Sequence, residues 1–147
     1  MKAKLKTRHV RPTLAAAAAI APLLVLAPAG TARADAPLTW TFDKCATKQD
    51  GVWKGTATLD TTEKLRTELT SASQSGQILH VTFDWEVGNL FLAPLSGTLN
   101  LDTGAVVMNG TITEGAYAGS NVHEEGQLYD AENSCFAGTI TVQPATG

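Results

Sequence analysis

The amino-acid sequence predicts an all-β domain: a single antiparallel meander of about seven or eight strands, a small β-barrel in preference to a β-sandwich. Three observations carry that expectation. Residues 79–87 alternate strictly, with Leu79, Val81, Phe83, Trp85 and Val87 on one face and His80, Thr82, Asp84 and Glu86 on the other. Turn signals recur roughly every 8–15 residues, at the spacing of short strands. A glycine followed by threonine opens four segments, at Gly55, Gly97, Gly110 and Gly138. A glycine at a bend followed by a β-branched residue resuming the pleat suits strands that curve into closure.

Before the first strand comes a segment with the three parts of a secretory signal. Lys2, Lys4, Lys6, Arg8 and Arg11 make a basic start, residues 14–29 form an alanine-rich apolar run, and Ala32-Arg33-Ala34 offers small residues to a peptidase. Cleavage is expected after Ala34, leaving a secreted domain over 35–147. The apolar run, with Pro22 and Pro28 inside it, falls short of the roughly 20 residues needed to span a bilayer. The signal has a bacterial look, with neither a twin-arginine pair nor a lipoprotein cysteine.

The 147 residues, 44% hydrophobic and 17% charged, fit one globular domain rather than a disordered tail or a multidomain enzyme. Their net charge of −3 conceals an asymmetry. Without residues 1–34, five basic residues (Lys44, Lys48, Lys54, Lys64, Arg66) face fourteen carboxylates, a net charge of −9. That acidity opposes nucleic acid, whose phosphates need a basic surface. It opposes anionic membrane surfaces for the same Coulombic reason.

The elements follow in order. Residues 38–43 alternate, with Leu38, Trp40 and Phe42 on one face, and 51–59 follow with Val52 and Trp53, then Ala57 and Leu59 on one face. Residues 60–76 are two-sided. Asp60 and Glu63 resemble a helix capping box, yet Leu65, Thr67 and Leu69 alternate, which favours a strand followed by a loop over 71–76. After 77–87, the segments 95–101 and 105–113 flank Asp102-Thr103-Gly104, a short hairpin connection. Strands over 121–129 and 135–142 complete the set. Trp40, Trp53 and Trp85 are expected as core anchors.

Cys45 and Cys135 are the only cysteines. In an exported chain such a pair forms a disulfide, here tying the first strand to the last. Two cysteines are too few for a structural zinc site, and neither a cofactor nor a metal is expected. No nucleophile elbow, phosphate-cradling loop or zinc-peptidase spacing occurs. The Asn109-Gly110-Thr111 sequon carries little weight beside a bacterial-type signal.

Two groups of residues are candidates for function. If the polar faces of two strands lined one cavity, His80, Asp84, His123 and Glu125 could form a cluster for acid–base catalysis or metal binding. The alternative is that they are solvated outer-face residues. The apolar run over 89–95 breaks the alternation; it reads first as a fully buried strand or crossover, and otherwise Leu90, Phe91, Leu92 and Leu95 could mark a hydrophobic ligand site at a barrel mouth. The leading expectation is therefore a secreted, non-catalytic binding or interaction module for an apolar small ligand or a protein partner. A small-barrel enzyme of cyclase or isomerase type comes second, and a structural cell-envelope protein third.

Overall fold

A computed structural model describes residues 36–47 and 50–145; the expected signal segment over 1–34 and the expected cleavage after Ala34 lie outside the described residues. The described residues run through nine strands: β1 (Leu38–Thr47), β2 (Val52–Thr58), β3 (Thr62–Ser75), β4 (Ile78–Val87), β5 (Phe91–Asn100), β6 (Ala105–Thr111), β7 (Glu114–Gly115), β8 (Asn121–Asp130) and β9 (Cys135–Gln143). All pairings are antiparallel, and β4 pairs β5 while β1 pairs β9, so eight strands close into an up-and-down barrel. The short β7 adds onto the edge of β5 at Phe91 and Leu92. Among the described residues no helix is long and apolar enough to cross a membrane.

Alternation decides what fills the barrel. Along β4, Val81, Phe83, Trp85 and Val87 are buried, while His80, Asp84 and Glu86 are exposed. Trp40 and Phe42 of β1, Leu95 of β5, Met108 of β6, and Ile140 and Val142 of β9 join the same core. Four hairpins, β1–β2, β3–β4, β5–β6 and β8–β9, gather at one end. The opposite end is closed by the connection between β6 and β8. Tyr117 there meets Trp40 edge-to-face at 5.6 Å, Trp40 meets Phe91 at 6.1 Å, and Ile112 is buried beneath.

Three local expectations are corrected. Residues 71–76 are largely strand, because β3 runs on to Ser75 and turns at Gly76 (φ +58°) directly into Ile78. Backbone pairing is indifferent to side-chain polarity, so this exposed serine-rich stretch stays in the ladder after a register shift between Leu69 and Ser71. Leu59 lies past the end of β2 in a turn and is exposed, rather than sharing the face of Ala57. β1 also extends to Thr47, carrying Cys45 opposite Cys135.

The Gly-Thr elements have a steric cause. Their glycines face the interior, where a closed barrel coils most tightly. At Gly138, paired with Gly126, a Cβ would stand 2.6 Å from the Gly126 Cα and drive into the Glu125 carbonyl. Replacing Gly138 by alanine must therefore part β8 from β9. A loss of about 1–3 kcal/mol is expected in urea denaturation; unchanged stability would show that the strands move apart freely.

Candidate functional site

The barrel interior is not uniformly apolar. Lys44 on β1 has the parity of Trp40 and Phe42, so it points inward, and Glu124 on β8 has the parity of Val122. They meet inside, Lys44 Nζ lying 3.4 Å from Glu124 Oε1, with side chains 4% and 0% exposed. The ammonium also lies 3.9 Å from the centroid of the Trp85 ring, with Phe42 and Phe83 at 5.2 and 5.4 Å. Aromatic faces thus replace part of the water that a cation loses on burial.

Both ionisations are strained by that burial. Desolvation lowers Lys44 from its ordinary 10.5 to about 8, against the opposing charge and hydrogen bond of Glu124. Desolvation likewise raises Glu124 from 4.5 to about 7, against Lys44 and, more weakly, His123. Around the pair, Glu124 Oε2, Thr67 Oγ1 and Trp85 Nε1 are buried with no hydrogen-bond partner among the described residues. Each such group costs about 1–3 kcal/mol if it stays unpaired. A fold selected for stability alone would fill these positions with hydrocarbon.

Beside Lys44 lies a cavity of about 80 Å³. Its other walls are Trp53, Leu69, Leu79, Val81, Phe83, Leu99, Val106, Met108 and Phe136. Trp53, Leu69, Leu79 and Leu99 are only partly buried, which places the rim at the hairpin end, away from the Trp40–Phe91–Tyr117 plug. Among the described residues, Lys44 is the only one on the wall with a polar side chain apart from the indole of Trp53, whose N–H donates to the Ser134 carbonyl at 3.0 Å.

The residues singled out in the sequence lie elsewhere. His80 and Asp84 are on the outer face of β4; His123 and Glu125 are on the outer face of β8, and these two strands do not pair. His123 does contact Glu125, Nε2 to Oε1 at 3.1 Å, and its Nδ1 lies 2.7 Å from Asn109 Oδ1. This surface chain does not reach His80 or Asp84. No group of three or more metal-ligating side chains is found among the described residues. Phe91 and Leu95 belong to the core, Leu90 packs against it from a turn, and Leu92 is half-buried at the β7 edge; none of the four lines the cavity.

The disulfide forms as expected, joining Cys45 to Cys135 with their Cα atoms 4.0 Å apart at the hairpin end of the barrel. Nearby, the Tyr129 hydroxyl donates to both Asp43 carboxylate oxygens at 2.9 and 3.0 Å, and that hydrogen bond, more than the Asp43 charge, holds the phenol above its usual range. No family model matches the chain, and no curated protein matches it in sequence.

Proposed function

We propose that this is an exported binding module that takes the end of an apolar chain into the barrel from the hairpin end. The observation that carries the reading is the cavity: nine largely apolar side chains and one lysine, reached past partly exposed Trp53, Leu69, Leu79 and Leu99. Eight-stranded barrels have interiors just wide enough for side chains or for one small ligand. A cavity of about 80 Å³ is about half the size of an engineered one that admits benzene. It therefore suits the tip of an alkyl chain better than a ring system. Export is supported by the basic and apolar start of the chain and by the disulfide, which needs an oxidising compartment.

Titration with 1-octanol tests this, since the alcohol is neutral and unreactive. Saturable binding with a negative heat-capacity change is expected by calorimetry, together with a raised Tm. Val106→Phe, which puts a ring into the cavity, should weaken binding at least tenfold while leaving the barrel folded. Absence of binding to the wild-type protein, or unchanged binding to Val106→Phe, would overturn the reading.

A further inference from the structure

Among the described residues, Lys44 is the only charged residue on the cavity wall, nearly fully buried where the rim residues are only partly so, and its counter-charge Glu124 is not part of that wall. That placement restricts the inner end of a ligand. A carboxylate or sulfonate would set a second negative charge beside Glu124, with Lys44 as the one cation facing them, in a region stripped of water. A purely hydrocarbon tip leaves unused the Lys44 N–H groups that Glu124 does not take. A carbonyl group fits both constraints, being neutral, slim and electrophilic.

Resting on the binding mode proposed above, we infer that the barrel captures linear aliphatic aldehydes, forming an imine between the ligand carbonyl and Lys44 Nζ. Desolvated lysines in apolar pockets are the usual amine nucleophiles of carbonyl chemistry, because burial favours the neutral amine. The neutral Nζ donates its lone pair to the carbonyl carbon, and the carbonyl π pair moves to oxygen, which ends as hydroxyl with one of the two amine protons. Loss of that hydroxyl with the second amine proton releases water and leaves C=N. One aldehyde is consumed and one water formed, with no change of oxidation state. Glu124, 3.4 Å from Nζ, is placed to take the proton from nitrogen and return it to the departing hydroxyl. Its raised affinity for protons supports that role.

The test is reductive trapping on the full folded chain. Octanal and cyanoborohydride should add one octyl group, which peptide mapping places on Lys44 in preference to the exposed Lys54 and Lys64. Excess 1-octanol should suppress labelling at Lys44 only. Glu124→Gln, checked for its fold by circular dichroism, should label Lys44 at least about tenfold more slowly. Labelling confined to the exposed lysines, or labelling of Lys44 that 1-octanol does not reduce, would overturn the inference. If 1-octanol binds but octanal leaves Lys44 unlabelled, imine capture fails while apolar binding stands. If neither occurs, both fail.

Discussion

Lys44→Met is expected to destabilise the barrel by about 3–5 kcal/mol, and Glu124→Leu by a similar amount, because each leaves the partner charge buried and uncompensated. The double variant Lys44→Met/Glu124→Leu is expected to be no less stable than the wild type. Its two side chains are close in volume to those they replace, and it also relieves the unpartnered Glu124 Oε2. Denaturation of the four proteins in urea gives the coupling directly. A double variant that loses the sum of the single losses would show zero coupling, so that each side chain stabilises the fold through its own contacts and neither loss comes from a partner charge left uncompensated.

The pH dependence of stability gives the same pair a second signature. Glu124 has a native pKa above its ordinary 4.5, at about 7, so the native state holds its proton more firmly than the unfolded chain does. The stability from this group is full below about pH 4.5 and is lost as pH rises towards 7. Lys44 has a native pKa below its ordinary 10.5, at about 8. The unfolded chain binds more protons between those values, so stability rises with pH from about 8 to 10.5. The pair therefore contributes a shallow minimum near pH 7–8, opposite to the plateau that surface carboxylates produce. Among the described residues, Glu124 is the charge that acts on Lys44, and Glu124 feels Lys44 and, weakly from the outer face, His123. The double variant should lose both slopes; a wild type with no trough relative to it would show that the ionisations are unstrained.

The barrel was legible in the sequence because period-two alternation depends only on which side of a strand meets water. β4 reads correctly residue by residue, and the cysteine pair implied adjacent first and last strands, which only a closed sheet or neighbouring sandwich ends provide. The site was hidden for the complementary reason. Charged residues were assigned to solvent by type, so Lys44 counted as one of five basic residues although it shares the parity of Trp40 and Phe42. Glu124 has the parity of Val122 and so faces away from His123 and Glu125. A charged residue in phase with the buried positions was the available signal. The run over 89–95 lacks alternation because two different neighbours cover it: Phe91, Ala93 and Leu95 turn into the core, while Leu92 is sheltered by the β7 connection. Periodicity within one strand cannot report a cover supplied by another.

Removing the disulfide, as Cys45→Ala/Cys135→Ala, is expected to lower stability by about 4.6 kcal/mol, the chain-entropy value for a loop of 90 residues. The seam it spans does not otherwise depend on it. β1 and β9 are already zipped by a continuous register from Leu38↔Val142 to Lys44↔Phe136, and Trp40, Phe42, Ile140 and Val142 lie buried along the same two strands. The crosslink therefore acts mainly on the unfolded chain, where it prevents the two ends from separating. Two consequences distinguish this from a local native contribution. The variant should keep the far-ultraviolet spectrum and the 1-octanol affinity of the parent within about twofold, since the cavity walls stay in place. Its urea m-value should rise, because a chain without the crosslink exposes more surface on unfolding. A lower Tm with an unchanged m-value and weakened 1-octanol binding would instead show that the bridge holds the rim of the cavity in shape. In that case reduction would release the bound chain, and the oxidising compartment would be a condition of binding as well as of folding.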